Sequence, residues 1–369
     1  MDVVSGNPAT PGGKKPPGQS RMPNLPAHLT SRSEFTDESP CRFQILALDG
    51  GGAKALFTVL VLAHLEEDLG ICINDSFDLI AGTSAGGIIA LGLGAGMRPK
   101  DIAEHYEDLV EAVFPSAQRR LWRLARRLTA PTYDSDVLRM ELAKLLGHRQ
   151  LSDSTKRLVI PSWDVQQGAV HIFKTPHHPR LRRDGRLQMV DVAMATSAAP
   201  TFFNAAHVQG QRLIDGGVWA NNPSVVAISE AVSMLNVPLD AIRVLSVGAV
   251  DQRPNHAERI DNGGWLNWAK PAANLMITAS SRGVQGTAMH LIGKDDFVRF
   301  DASVSGRVFA LDRANPKALA GLAAGESRSL SPLFSERFGD HVASTYTPIS
   351  APSEHAAEPG IPTTPGGAP

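Results

Sequence analysis

The sequence predicts an α/β fold in which a mostly parallel central sheet is covered by helices on both faces. Short apolar runs alternate along the chain with segments whose apolar residues recur at helical spacing. The first such run, 43–48 (FQILAL), is almost wholly apolar and ends at three glycines, as expected of a buried strand. Strands that alternate with helices in this way favour parallel pairing and layered packing.

The predicted elements follow one another through the middle of the chain. Strands are expected at 43–48, 77–81, 158–163, 170–173, 212–214 and 242–247. Helices are expected from residue 56, from residue 85, and at 99–113, 134–146, 188–197, 223–235 and 271–291. Gly70 is placed to cap the first helix.

The two ends of the chain differ in composition from this middle region. Residues 1–41 are rich in Pro, Gly and Ser and are expected to form a disordered leader, without the apolar core of a signal peptide. Residues 346–369 are expected to form a disordered tail. We therefore predict one catalytic domain at 42–345, with a helical extension at its C-terminal end. The longest apolar stretches are shorter than the ~20 residues that a spanning helix needs.

Charge and cysteine content narrow the class of protein. Lys and Arg total 36 and Asp and Glu total 37, so no overall field favours a nucleic acid polymer. The two cysteines, Cys41 and Cys72, do not make a disulfide framework in a chain of 369 residues, which favours a reducing cytoplasm.

Residues 82–86 read Gly-Thr-Ser-Ala-Gly directly after a predicted strand and directly before a predicted helix. This context is typical of a nucleophile elbow, where a serine is held on a sharp, strained turn between small neighbours. The following helix would direct the positive end of its dipole at Ser84. The alternative is a plain glycine-rich turn, since the five-residue pattern also occurs by chance.

A glycine-rich loop, Asp49-Gly50-Gly51-Gly52-Ala53-Lys54, follows the first predicted strand. Backbone N–H groups without side chains in their way can stabilise the oxyanion of acyl transfer, and Lys54 would add positive charge. The segment 50–55 also fits a relaxed dinucleotide-binding fingerprint, which would indicate an oxidoreductase. That fingerprint requires an acidic residue at the end of the second strand, where this sequence has the Ser84 turn instead.

A serine nucleophile needs a base, and Asp215 is the best candidate. It ends the short strand Leu213-Ile214-Asp215, and Gly216 and Gly217 leave room around its carboxylate. Taken alone, Asp-Gly is a common turn dipeptide. A histidine triad is the alternative, and the histidines after Ser84 are His105, His148, His171, His177, His178, His207, His256, His290, His341 and His355.

At these residues the sequence resembles the patatin-like phospholipase family, over roughly 43–248. DGGGAK at 49–54, GTSAG at 82–86, ATSAAP at 195–200 and DGG at 215–217 occur in the order of that family's motifs. The resemblance implies a three-layer α/β/α patatin-like fold and a Ser84–Asp215 dyad without histidine. It also implies an oxyanion hole of Gly50, Gly51 and Gly52, supported by Lys54, Ala85 and Gly216, and neither a cofactor nor a metal. The family usually has Arg-Gly where this chain has Lys54-Ala55, and lysine lacks the planar fork of arginine.

The segments 43–67 and 77–94 are similar to a narrower branch, the patatin-like effectors of bacterial antiphage systems. That resemblance implies a phospholipase A-type hydrolase of membrane phospholipids, activated by a cyclic dinucleotide. It implies a cytoplasmic protein, peripheral at the inner membrane, and an oligomer is compatible with it. A catalytically silent patatin-fold binding protein is the further alternative.

Two basic segments are candidates for contact with phosphate groups. The first, 118–128 (QRRLWRLARRL), places five arginines on a predicted helix with Trp122 and could meet anionic headgroups. The second combines arginines with His177 and His178 and could receive a nucleotide phosphate; its arginines are Arg180, Arg182, Arg183 and Arg186. Such charge runs are more often simply solvated surface.

Overall fold

The computed structural model describes residues 42–114, 130–252, 264, 271–304 and 315–349. The strands are β1 (Phe43–Leu48), β2 (Leu79–Gly82), β3 (Arg157–Asp164), β4 (Ala169–Lys174), β5 (Ala206–Val208), β6 (Gln211–Asp215), β7 (Ile242–Val247), β8 (Asp251–Gln252), β9 (Phe297–Phe300) and β10 (Ser303–Val304). The helices are α1 (Leu56–Leu69), α2 (Ala85–Gly94), α3 (Pro99–Val113), α4 (Ser135–Leu146), α5 (Met189–Thr196), α6 (Gly217–Ala220), α7 (Ser224–Leu235), α8 (Pro271–Ile292) and α9 (Pro316–Phe338).

The main sheet is mostly parallel, as the sequence predicts. Its order is β5-β6-β3-β2-β1-β7-β9, and β4 also pairs with β3. Five neighbouring strands of this order run parallel to one another: β3, β2, β1, β7 and β9. The pairs of β3 with β4 and β6, and of β5 with β6, are antiparallel. β8 and β10 form a separate parallel pair.

The side chains of β1 show why helices cover both faces of the sheet. Alternate residues of a strand point to opposite faces, and here Leu46 and Leu48 belong to one buried cluster while Ile45 and Ala47 belong to another. Residues from α1, α2, α3, α4, α5 and α9 complete the first cluster. Residues from α7 and α8 complete the second. The predicted three-layer arrangement is therefore confirmed.

Several elements differ from the sequence prediction. β2 starts at Leu79 rather than residue 77, because Phe77 caps the 3-10 turn Ile73–Ser76 through a hydrogen bond from its N–H to the Asn74 carbonyl. The short strands β5 and β9 were not predicted, since three or four residues give too little pattern to recognise.

Two residues of the predicted C-terminal tail, Tyr346 and Ile349, contact the rest of the chain. Tyr346 is only 7% exposed, and the N–H of Ile349 donates a 2.8 Å hydrogen bond to the carbonyl of Pro176. The Tyr346 side chain and the Ile349 backbone are therefore held against the described domain, whereas Thr347 and the Ile349 side chain are exposed. The predicted leader at 1–41, the remainder of the tail at 350–369 and most of the arginine-rich segment at 118–128 lie outside the described residues. Among the helices that the structure describes, none combines the length and apolar character needed to cross a bilayer.

Candidate active site

The sheet brings the ends of β2 and β6 towards each other. β2 pairs with the first part of β3, where Ala81 lies opposite Val159. β6 pairs with the last part of β3, where Asp215 lies opposite Ser162. β4 pairs with β3 throughout 159–164, so it occupies the other edge. Because β2 runs parallel to β3 and β6 runs antiparallel to it, the two strands end facing each other across a short gap, one leading to Ser84 and the other ending at Asp215.

Ser84 occupies the sharp turn that the sequence predicts. Its φ of 54° and ψ of −123° lie in a region that side-chain-bearing residues rarely adopt. The turn requires glycine on both sides. A Cβ at residue 82 would lie 2.2 Å from the carbonyl oxygen of Gly86, and one at residue 86 would lie 2.4 Å from that of Leu48. The hydroxyl is thus held at the N-terminal end of α2, whose dipole favours negative charge.

The side chains of Ser84 and Asp215 are hydrogen-bonded. The Oγ of Ser84 donates to Oδ2 of Asp215 at 2.6 Å, and Oδ1 of Asp215 accepts the backbone N–H of Gly217, also at 2.6 Å. Asp215 is buried, and this burial raises the pKa of its carboxyl from 3.8 to about 6, although the two hydrogen bonds act in the opposite direction. A carboxylate in this position is oriented to take the hydroxyl proton.

Thr196 links the Ser84 turn to Gly216, the residue after Asp215. Its Oγ1 accepts the backbone N–H of Ser84 at 3.0 Å and donates to the carbonyl of Pro161 at 2.6 Å. Its own carbonyl accepts the N–H of Gly216 at 3.3 Å. A Cβ at Gly216 would lie 2.3 Å from the Pro161 carbonyl oxygen, so only glycine fits there. Within the small-residue stretch 195–200, the threonine is the member that joins the two halves of the dyad.

The glycine-rich loop differs from the expected three-donor arrangement at Gly50. Its N–H donates a 3.0 Å hydrogen bond to the carbonyl of Asn221, so it is not directed at a reacting group in this structure. Gly50 still has to be glycine, because a Cβ there would lie 2.4 Å from Oδ1 of Asn221 and 3.3 Å from Cβ of Ser84. Gly51 and Gly52 open the 3-10 turn Gly52–Ala55, whose first N–H groups have no partner within the turn. The hydroxyl of Tyr106 on α3 donates to the Gly52 carbonyl at 2.9 Å and fixes that peptide.

The supporting residues Lys54 and Ala85 lie on either side of Ser84 in the sequence, and only the contact of Lys54 was not indicated by it. The Nζ of Lys54 donates to the carbonyl of Val250 at 3.0 Å, in the short connection between β7 and β8. The lysine therefore holds this connection rather than only adding charge. Ala85 is 3% exposed and begins α2, so it packs tightly directly behind the nucleophile.

Arg299 is a residue of the site that sequence reasoning missed. It lies on β9, and its Nη1 and Nη2 contact the two carboxylate oxygens of Asp49 at 2.9 and 2.7 Å. Its Nη1 also donates to Oγ of Ser246 on β7 at 2.8 Å. Asp49 is buried and Arg299 is partly buried; burial lowers the pKa of Arg299, but the facing Asp49 carboxylate outweighs this and keeps that pKa above its ordinary value. Asp49 begins the glycine-rich loop, so this bidentate contact fixes the loop to the sheet.

Neither a histidine nor a metal cluster accompanies the dyad in the part of the chain that the structure describes. Among the described residues, the Asp215 carboxylate accepts hydrogen bonds from the Ser84 hydroxyl and the Gly217 N–H. Within the described ranges, no group of three or more His, Cys, Asp or Glu side chains is arranged to hold a metal ion. His256 and His355 lie outside those ranges.

The second basic segment is only partly a surface patch. Arg180, Arg182, Arg183 and Arg186 are exposed. His177, by contrast, is buried, and its Nε2 lies 3.0 Å from Oε1 of Glu230. The segment follows β4, whose last residue, Lys174, lies opposite Val159 of β3.

Comparison with known proteins places this geometry in a family. The model of the family described as "Patatin-like phospholipase" matches residues 46–228, which include the Ser84 turn, the glycine-rich loop and Asp215. A protein of Vibrio cholerae serotype O1 named "cGAMP-activated phospholipase" is 31% identical over 338 residues, covering 82% of this chain and 92% of that protein. The chain belongs to the patatin-like phospholipase family.

Two further bacterial relatives carry the same name. The one from Escherichia coli is 37% identical over 225 residues, and the match covers 57% of this chain and 63% of the relative. The one from Pseudomonas aeruginosa is 35% identical over 281 residues, covering 74% of this chain and 83% of the relative. As a member of this family, the protein is a lipid acyl hydrolase, an enzyme that hydrolyses carboxylic ester bonds. The alternative interpretation as a dinucleotide-binding oxidoreductase is therefore wrong.

Proposed function

We propose that this patatin-like phospholipase cleaves fatty acyl esters of membrane phospholipids with a dyad of Ser84 and Asp215. As the Ser84 Oγ attacks the ester carbonyl, Asp215 takes the hydroxyl proton. The tetrahedral intermediate collapses, the C–O bond to the lysolipid breaks, and Asp215 returns the proton to the leaving oxygen. Water, deprotonated by Asp215, then attacks the acyl-serine and releases the fatty acid, and the proton restores the Ser84 hydroxyl.

The 2.6 Å hydrogen bond from the Ser84 hydroxyl to the Asp215 carboxylate is the observation that carries this proposal. A general base must reach the proton that it removes and is most effective when its pKa lies near the working pH. Burial raises the Asp215 pKa to about 6, so the carboxylate is mostly ionised at neutral pH yet more basic than an exposed one.

We assign the oxyanion hole to the N–H groups of Gly51 and Gly52, assisted by the N-terminal end of α2. Both glycines open a turn whose first amides lack internal partners. Gly50 contributes by permitting close approach to Ser84, as its N–H is bonded to Asn221. Each oxyanion donor of this kind typically contributes ~10²–10³-fold in kcat.

The names of the bacterial relatives support a proposal about regulation and location. All three are called cGAMP-activated phospholipases. We extend this to the present chain: a cyclic dinucleotide increases its activity, and it acts as a peripheral protein on the cytoplasmic side of the inner membrane, where phospholipid is the substrate. Residues 42–349 are proposed as the catalytic domain.

Release of fatty acid from mixed phospholipid liposomes, followed by mass spectrometry with and without cyclic GMP–AMP, tests the proposal. We expect Ser84→Ala and Asp215→Asn each to lower release by roughly 10³-fold or more, since the members of a catalytic unit act together. Ser233→Ala and Asp240→Asn, both at exposed positions, serve as matched controls and should retain wild-type release. Near-normal turnover in Asp215→Asn would eliminate the dyad, and a wild-type chain that releases no fatty acid under either condition would favour a silent binding protein.

A further inference from the structure

A polar cavity of about 390 Å³ lies beside the glycine-rich loop. One wall belongs to α8 and the other to the end of β9, and the lining residues are Thr278, Ser281, Arg282, Gln285, Arg299 and Asp301. The volume is within the range of small-molecule sites, but the lining consists of hydroxyl, amide and charged groups rather than apolar side chains. The cavity therefore fits an oxygen-rich ligand better than an acyl chain.

The α8 wall is a continuous polar stripe. Residues 278, 281, 282 and 285 are spaced at i, i+3, i+4 and i+7, which places them on one face of the helix. Further along α8, Ala288 and Ile292 lie in the apolar cluster beneath the sheet. One helix thus combines an apolar segment that packs on the sheet with a stripe of hydrogen-bonding side chains that lines the cavity.

The two arginines and the two carboxylates at the cavity balance in charge, but one arginine is not engaged by either carboxylate. Arg299 is paired with Asp49 and, through its Nε at 3.0 Å, with Asp301. Arg282 is exposed at the cavity and forms no ion pair with any residue that the structure describes. The guanidinium of Arg282, beside Thr278 and Gln285, supplies donors for a ligand with an anionic group and several acceptor oxygens.

We propose that this cavity is a phosphodiester-binding site next to the catalytic loop. A phosphodiester carries one negative charge and offers acceptor oxygens to Arg282, Thr278 and Gln285. Both the headgroup of a phospholipid and the linkage of a cyclic dinucleotide have this chemistry. The choice of these two candidate ligands rests on the proposed function.

Two contacts connect the cavity walls to the catalytic loop. Arg299 holds both carboxylate oxygens of Asp49, the first residue of the loop. Ser281 accepts a 3.0 Å hydrogen bond from Nδ2 of Asn221, whose backbone carbonyl in turn holds the N–H of Gly50. A phosphodiester in the cavity thus lies against the residues that position Gly50, so its binding is expected to change turnover as well as affinity.

Calorimetric titration of the full chain separates the two sources. The probes are cyclic GMP–AMP and glycerophosphoglycerol, a soluble phosphodiester headgroup, with wild type, Arg282→Ala and Arg282→Lys. Arg328→Ala is the matched control, because Arg328 is an exposed helical arginine on α9, in the layer on the opposite face of the sheet. We expect Arg282→Ala to weaken binding of at least one probe by ~10-fold or more, as for a lost charge-assisted hydrogen bond. Arg282→Lys should retain part of the affinity, and Arg328→Ala all of it.

The outcome identifies the ligand or removes the proposal. If Arg282→Ala weakens binding of cyclic GMP–AMP alone, the cavity is the activator site. If it weakens binding of glycerophosphoglycerol alone, the cavity binds the substrate headgroup. Equal affinities in wild type and Arg282→Ala, or no binding of either probe to wild type, would overturn it. Hydrolysis of p-nitrophenyl butyrate, which has no phosphate, is measured in parallel on wild type and Ser84→Ala. If this activity persists in Ser84→Ala, the dyad has failed, independently of the cavity.

Discussion

The Asp215 carboxyl combines basicity with a stability cost. It is buried beside Ser84, and its pKa is raised from 3.8 to about 6 chiefly by loss of solvation. Between these two pH values the folded chain retains a proton that the unfolded chain has released, so the folded state loses stability as pH rises. Above about pH 6 the full cost of the buried carboxylate is present, on the order of 3 kcal/mol.

This titration predicts opposite effects of pH on activity and stability. Turnover of p-nitrophenyl butyrate should increase as pH rises through about 6, because the base must be ionised. Asp215→Asn should be inactive but more stable than wild type at pH 8, by ~1–3 kcal/mol, since the amide removes a buried charge without changing the shape. Denaturant unfolding at pH 5 and pH 8 measures the difference, which should be larger at pH 8. A variant less stable than wild type at pH 8 would show that the carboxylate stabilises the fold.

At the scale of elements, the site depends on how closely α2 approaches β1. The nucleophile turn is possible because Gly86 lies against the carbonyl oxygens of Leu48 and Asp49, where a Cβ would be 2.4 and 2.6 Å away. Any side chain at this position must displace the end of β1, and the glycine-rich loop begins there. The packing of one helix on one strand therefore sets the position of Ser84, the proposed nucleophile, relative to the glycine-rich loop, which we propose supplies the oxyanion donors.

Gly86→Ala should consequently lose both stability and activity. We expect a loss of ~1–3 kcal/mol or more in the free energy of unfolding, as for overpacking that the backbone must absorb, and a larger proportional loss of ester hydrolysis. Gly321→Ala on α9 is the control, because nothing lies within 4 Å of the added methyl group. It should stabilise the helix by ~0.5–1 kcal/mol. Thermal unfolding and initial rates measure both variants, and a fully active Gly86→Ala would contradict this packing argument.

At the scale of the whole molecule, the site is completed by a residue 250 positions away from the loop that it holds. Arg299 on β9 fixes Asp49 at the end of β1, and Ser246 on β7 lies between them in the sheet order. The parallel sheet brings these strand ends to one edge, which is where α/β proteins generally place their sites.

Arg299→Lys should therefore lower kcat on a small neutral ester by ~10-fold or more while KM changes little, because lysine keeps the charge but not the bidentate contact. Arg243→Lys is the matched control, since Arg243 on β7 pairs with Asp296 at 3.1 Å in a partly exposed position. A kcat equal to that of wild type, accompanied only by a lower melting temperature, would show that Arg299 stabilises the fold without positioning the loop.

The sequence predicted the parts of the site that lie within local motifs. Ser84, Asp215 and the glycine-rich loop each follow a recognisable strand, and the structure brings Ser84 and Asp215 into hydrogen-bonding distance. The sequence did not predict the partners of Asp49 and Gly50, because Arg299 and Asn221 are distant in the chain and belong to no recognisable motif. The orientation of the Gly50 N–H depends on the Asn221 backbone, and no residue pattern encodes that contact.

Covalent labelling by a fluorophosphonate, located by peptide mass spectrometry, tests the central claim most directly. The probe forms an adduct with a serine whose hydroxyl is activated. We predict that the wild-type chain carries the adduct at Ser84 and that Asp215→Asn reacts at least ~100-fold more slowly at the same residue. An adduct at another residue, or equal labelling of Ser84 in both proteins, would contradict the assignment of Ser84 as nucleophile and Asp215 as its base.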